Sequence, residues 1–283
     1  MKVLITGASG FLGTYVIDAF QESGHDTVGL DIVASQNNGV IACDLCSASV
    51  GELKDIVKEA EIIVHLASVV DFSDNLTLDL FKVNSLGTFR LALACSQLSK
   101  KLIFASGIFI HGKRVENVNI DLPVNPDIPY SISKWLAEEL ISEVLDDAAI
   151  LRIGGIFGLK GPQHLGINRS IKFALEDKSI PEIHGPGNAK RNYIYVKNLA
   201  RWIVYIAEKS LGGIHYLAGS EKLSIREMVE SICLKLLDGA TATEKAGEEV
   251  NDQICEISSV HPEMMSFKTA LEDIRSDYLA GKF

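Results

Sequence analysis

The chain has 283 residues, 47% hydrophobic and 23% charged, a balance that suits either one large α/β unit or two lobes around a substantial core. Its net charge of −10 argues against nonspecific nucleic-acid binding, which needs surplus Lys and Arg to neutralise phosphates. No charge-free apolar run reaches the ~18 residues of a membrane span, and a strand-like run begins at once with no leader pattern, so the expectation is a cytoplasmic protein without membrane contact.

In chain order, residues 3–5, 27–30, 62–64, 102–104 and 149–151 read as short buried strands. Between them, 12–23, 49–59, 76–98 and 131–145 carry apolar residues at helical spacing. Strands that are apolar on both faces and alternate with helices predict a doubly wound parallel sheet of Rossmann type. Beyond residue 153, clusters of Gly and Pro predict loops and short strands, with helices at 167–176 and 197–207. A further helix is expected after the N-cap Ser224, with Met228 read as leaving no capping-box acid. Residues 238–254 are polar and acidic and are expected to form a mobile connection. Cys43 and Cys46 form a C-x-x-C, but no second pair or histidine pair completes a metal set, so no metal is expected.

The turn "TGASGFLG" (6–13) lies between the first strand and the first helix. Gly7 permits a tight turn, Gly10 lets backbone approach a pyrophosphate, and Gly13 lets helix and strand pack closely. Phe11 and Leu12 open the helix whose N-terminus would face the phosphates. Asp31 ends the second strand, where a carboxylate accepts from ribose hydroxyls and repels a 2′-phosphate, so NAD is expected over NADP. Tyr130 and Lys134 are one helical turn apart, and an ammonium beside a phenol favours the phenolate needed for general base work.

Together with "CDL" (43–45), "HLAS" (65–68), "VNSLGT" (83–88), "YSISK" (130–134), "LRIGGIFG" (151–158) and "RNYIYVKNLA" (191–200), these motifs resemble the extended short-chain dehydrogenase/reductase family. The likeness is to its NAD-dependent epimerase/dehydratase group, most of all the UDP-glucose 4-epimerases, and covers about residues 1–220. It implies a Rossmann domain at 1–153 and a smaller α/β substrate-binding lobe at 154–283, with some segments returning to the first. It also implies Asp44 and Leu45 at the adenine, Leu66 and Ala67 beside the pyrophosphate and ribose, and Asn84 supporting the nicotinamide side. Tyr130 and Lys134 would be catalytic and would touch the cofactor, while Asn168 and Arg191 would contact the diphosphate of a nucleotide sugar. A homodimer through helices 76–98 and 131–145 is expected.

The family's catalytic Ser or Thr stands at the end of the strand before the Tyr–Lys helix. Here "FASGIF" (104–109) puts Gly107 in that slot and Ser106 one residue early, so Ser106 enters the catalytic set only if the strand end twists. Ile108 and Phe109 replace the acidic pair of the dehydratases, which disfavours elimination. The expected activity is an NAD-dependent epimerisation through a transient 4-keto sugar. The alternatives are an NAD-dependent reductase or dehydrogenase of a related substrate, or a catalytically impaired NAD-binding sensor or scaffold.

Overall fold

The computed structural model describes residues 1–34 and 39–282. The chain begins with β1 (Lys2–Thr6), α1 (Phe11–Glu22), β2 (Asp26–Asp31), β3 (Val40–Ala42), α2 (Val50–Val57) and β4 (Ile62–His65). It continues through α3 (Leu78–Phe81), a π-helical turn at Lys82–Gly87, α4 (Thr88–Gln97), β5 (Lys101–Gly107) and a 3₁₀ turn at Ile108–His111. Next come β6 (Asn117–Val118), α5 (Pro129–Ser142), β7 (Ala149–Ile153), β8 (Ile156–Phe157) and α6 (Gly166–Lys172). Then follow β9 (Glu182–His184), β10 (Lys190–Arg191), β11 (Ile194–Tyr195), α7 (Val196–Glu208) and β12 (Gly213–Leu217). The chain closes with β13 (Leu223–Ser224), α8 (Ile225–Leu236), β14 (Thr243–Lys245), β15 (Ile254–Cys255) and α9 (Phe267–Leu279).

Two compact units emerge. The first comprises Met1–Lys113, Asp121–Ile153 and Ala200–Tyr216. Its seven-stranded sheet has the order β12-β7-β5-β4-β1-β2-β3, and every pairing from β7 to β3 is parallel. The expected doubly wound sheet is therefore present. The order reverses at β1, which lies between β2 and β4, with Ile5 opposite Gly29 on one side and Val64 on the other. Such a switch point opens a crevice at the carboxyl ends of the strands, where the glycine turn begins. On one face Leu4, Leu30, Leu102 and Phe104 pack with Leu53 of α2, Leu91 of α4 and Ile141 of α5. The alternate residues Val3, Ile5 and Val64 are buried too, as strands covered on both sides require. Each such aliphatic side chain contributes about 1.5–3 kcal/mol by leaving water.

The five expected strands are all present. β3 and β12 escaped the sequence reading because β3 is three residues long with Ile41 exposed, and β12 has only Tyr216 and Leu217 buried. The expected helix 76–98 is divided by the π-helical turn, which periodicity alone does not reveal.

The second unit comprises Arg114–Ile120, Gly154–Leu199 and Leu217–Phe283. Short strand pairs build it: β8 with β11, β9 with β14, β6 with β15, and β10 antiparallel to β13. Two expectations are corrected here. The helix after Ser224 does carry a capping box, because its third residue is Glu227 rather than Met228; Ser224 Oγ accepts from Glu227 N at 3.1 Å and the Glu227 carboxylate accepts from Ser224 N at 2.7 Å. Within 238–254, expected to be a connection, lies β14, whose Glu244 pairs with Ile183; its three exposed polar residues gave no strand signal. Among the described residues no helix is long and apolar enough to cross a membrane.

Candidate active site

The turn after β1 is shaped by what cannot be there. Gly7 has φ +70°, and a Cβ on it would stand 2.7 Å from Ala67 N. A Cβ on Gly13 would stand 2.1 Å from the Gly7 carbonyl oxygen, so α1 begins directly on the turn. Gly10 N donates to Gly7 O at 3.0 Å, and Gly10 caps α1 without a side chain, leaving helix N–H groups for a ligand. Asp31 Oδ2 accepts from Ser9 N at 2.9 Å, which holds the carboxylate against the turn. A backbone cradle with no Cβ, a helix N-terminus and an adjacent carboxylate suit a dinucleotide.

Asp44 is held in a turn of its own, with Oδ1 accepting from Cys46 N at 2.8 Å. Leu45, expected at the adenine, has its side chain in the core, so only its backbone is left to meet a ligand. At the end of β4, His65 is wholly buried between Thr6 Oγ1, 2.6 Å from Nδ1, and Thr88 Oγ1, 2.8 Å from Nε2. Burial, and secondarily the charge of Lys134, push its pKa down to about 3, so it is a neutral strut at working pH. Ala67 N donates to the same Thr6 hydroxyl at 3.2 Å, which fixes the "HLAS" segment, Leu66 included, over the end of β1.

Asn84 lies in the π-helical turn, a geometry often found at functional sites. Its Nδ2 donates to Val69 O at 2.8 Å and Ser133 Oγ at 3.0 Å, and its Oδ1 accepts from Val69 N at 2.8 Å and Ser68 Oγ at 3.1 Å. Its amide is thus filled by protein, tying the segment after β4 to α5. Ser85 Oγ adds a bond to Ser133 O at 2.9 Å.

Pro129 starts α5 at its first turn, which sets Tyr130 and Lys134 on one face. Tyr130 is half-buried, with its ring 5.0 Å from Phe72, which in turn meets Phe109 at 5.2 Å. Burial pushes the phenol up to about 12, against a hydrogen bond with Ser68 that lowers it. Lys134 is 2% exposed, with Nζ 4.3 Å above the Phe104 ring. Burial pushes its ammonium down to about 7, and the Glu138 carboxylate opposes that shift. Burial disfavours the charged form of each group.

Residues 3–219 match the NAD dependent epimerase/dehydratase family. The chain belongs to that family. The UDP-glucose 4-epimerase of Mycolicibacterium smegmatis is 27% identical over 259 residues, covering 82% of each chain. Among solved structures, the UDP-N-acetylglucosamine 4-epimerase from Methanobrevibacter ruminantium M1, in complex with UDP-N-acetylmuramic acid, has a TM-score of 0.84 at 23% identity over 99% of this chain and 98% of that one. The UDP-glucuronic acid 4-epimerase from Bacillus cereus in complex with NAD has a TM-score of 0.81 at 24% identity over 99% of both. These structural likenesses establish the fold.

Against the family pattern, the end of β5 is distinctive. Ser106, expected as an early substitute for the catalytic hydroxyl, donates instead to Glu138 Oε1 in the interior. Gly107 is extended (φ −147°, ψ 156°), and a Cβ there would meet nothing closer than Ile153 O at 3.8 Å, an ordinary contact. In the second unit, Asn168 is 1% exposed and its amide is spent on the 156–162 loop, bonding Gly158 N, Ile156 O and Pro162 O at 3.0–3.2 Å. In this structure its side chain shapes that loop. Arg191 borders a cleft of about 640 Å³ with Arg169, His184 and Tyr193, and its Nη1 donates to Lys190 O and Asn251 O, both at 2.8 Å. Gly155 faces the Tyr193 ring, 2.3 Å from where a Cβ would be.

The sequence reading missed the buried polar struts. Thr6, His65 and Thr88 all lie inside motifs it quoted, and a histidine at the end of an apolar strand needs partners. Glu138 continues the Tyr130–Lys134 spacing by four more residues, and Arg152 interrupts an apolar strand, so each was a buried charge requiring an opposite one.

Proposed function

We propose that the protein is an NAD-dependent epimerase that inverts a nucleotide sugar through a transient 4-keto intermediate. The observation that carries this reading is that α5 sets Tyr130 one turn from a buried Lys134, in the same unit as a cradle that admits no Cβ at Gly7 or Gly13. NAD, when bound, supplies the hydride acceptor at the 4-carbon and the donor that restores it. Gly7, Gly10, Phe11, Leu12 and Gly13 would cradle its pyrophosphate and Asp31 its adenosine ribose. Asp44 and the Leu45 backbone serve the adenine, and Leu66, Ala67 and Asn84 shape the wall between pyrophosphate and nicotinamide.

Tyr130 takes the proton from the sugar 4-hydroxyl and returns it after the sugar has turned. Lys134 keeps the phenolate accessible and holds the nicotinamide ribose. With Gly107 at the usual hydroxyl position and Ser106 bonded to Glu138, no side chain of β5 relays that proton, so Tyr130 contacts the sugar directly. Ile108 and Phe109 cannot exchange a proton, which sets the reading apart from a dehydratase. Arg191 is the residue for the substrate diphosphate, as a planar guanidinium beside the cleft.

The partly exposed Trp135, Leu136 and Leu140 of α5, with Leu86, give a homodimer face, which light scattering would test. Free thiols at Cys43, Cys46, Cys95, Cys233 and Cys255 suit the cytoplasm. The function is tested by incubating the NAD-loaded protein with UDP-hexoses: interconversion of 4-epimers without net NADH supports it. Stoichiometric NADH turnover would point to a reductase, and loss of function in Gly10→Asp but not Tyr130→Phe to a sensor.

A further inference from the structure

Five side chains in the first unit form one continuous buried polar path. Ser106 on β5 donates to Glu138 Oε1, and Arg152 on β7 clasps the same carboxylate through Nη2 at 2.8 Å and Nε at 3.2 Å. Arg152 Nη1 donates to the Tyr216 hydroxyl of β12 at 2.7 Å, which lies 2.8 Å from His111 Nε2. His111 Nδ1 is 3.0 Å from Pro123 O, a carbonyl that can only accept, so Nδ1 carries the proton and Nε2 accepts from Tyr216.

Tyr130, Lys134 and Glu138 fall at i, i+4 and i+8 of α5, on one face of the helix. The carboxylate that β5 and β7 both bond therefore belongs to the residue one helical turn beyond Lys134. We propose that Glu138 is a positioning residue for catalysis: clamped by Ser106 and Arg152, it holds the Lys134 ammonium charged and in place beside Tyr130. Ser106 thereby contributes to the site through Glu138 rather than through substrate. The inference rests on reading Tyr130 and Lys134 as the acid–base pair.

The groups that face Lys134 support it. From β4 comes His65, neutral; from β5 the Phe104 ring, uncharged; from its own helix Glu138, with Tyr130 one turn before. Arg152 on β7 is a second cation, but the carboxylate neutralises it. Glu138 is thus the anion in this set, and it counters the burial that pushes Lys134 down. Losing it leaves two cations sharing one apolar interior.

The test is the titration of Lys134 followed by carbon-13 NMR of labelled lysines in the NAD-loaded protein, with Lys134→Arg assigning the signal. Glu138→Gln keeps the shape and removes the charge; Ser106→Ala leaves the Arg152 ion pair and removes only the serine's part of the clamp. We expect the Lys134 midpoint to fall by about one pH unit in Glu138→Gln and by less in Ser106→Ala. The alkaline limb of kcat should move down by the same amount. A midpoint unmoved in whichever variants fold, even with activity reduced, overturns the proposal, because mere structural support does not titrate. If the midpoint shifts but no UDP-hexose is epimerised, the role of Glu138 stands and the epimerase reading fails.

Discussion

Gly107 and Ile153 stand across neighbouring strands with room between them, since a Cβ on the glycine would lie 3.8 Å from the Ile153 carbonyl oxygen. The backbone at 107 is extended, so the missing side chain reflects no conformational demand for glycine. Gly107→Ser should therefore fold with unchanged stability and place a hydroxyl where relatives of this family carry one. If proton transfer limits turnover, kcat rises by about tenfold or more. Steady-state kinetics of the purified variant check this; a fall in kcat would mean that the space is used by the substrate itself.

Tyr130→Phe keeps the ring against Phe72 and removes the proton acceptor. Its kcat should drop by about 10²- to 10⁴-fold while NAD affinity changes little. Parallel turnover and cofactor titrations separate the two effects.

The glycine cradle should be intolerant of even one methyl group. In Gly13→Ala the new carbon would be 2.1 Å from the Gly7 carbonyl oxygen, which displaces α1 from the turn. NAD affinity should fall at least about tenfold, with a lower melting temperature, measured by calorimetry and by thermal unfolding with and without NAD.

Stability should carry the signature of His65. Its folded pKa of about 3 lies below the ordinary 6.5, so the unfolded chain binds a proton that the native one refuses between those values. Stability is retained above pH 6.5 and lost as pH falls toward 3, with a slope from this group of up to roughly 1.4 kcal/mol per pH unit. Lys134 acts from the other side: its folded pKa of about 7 lies below 10.5, so its burial costs most below pH 7 and is relieved as pH rises toward 10.5. Urea unfolding across pH, with His65→Asn flattening the acid slope, checks the first of these.

Much of the first unit was legible because its chemistry is local. Gly7 and Gly13 announce a turn by residue type and spacing, and Tyr130 and Lys134 announce a helix face. Ser106 could be placed in its strand but not assigned a partner, because Glu138 and Arg152 lie 32 and 46 positions further on, the one brought in by α5 and the other by the sheet register. The π-helical turn around Asn84 keeps the apolar spacing of an ordinary helix, and β14 consists of exposed polar residues held by backbone pairing alone. Asn168 was read through the family resemblance, whereas its burial against Gly158 and Pro162 depends on a loop whose course no periodicity encodes.

The most direct measurement follows UDP-glucose, UDP-N-acetylglucosamine and UDP-glucuronic acid, each deuterated at C4, by NMR after incubation with the NAD-loaded protein. Removal and return of the same hydride in one closed site predicts the corresponding 4-epimer of at least one of them, with deuterium retained at C4 and no NADH released. Loss of the label with accumulation of NADH, or no epimer from any of the three, would contradict it.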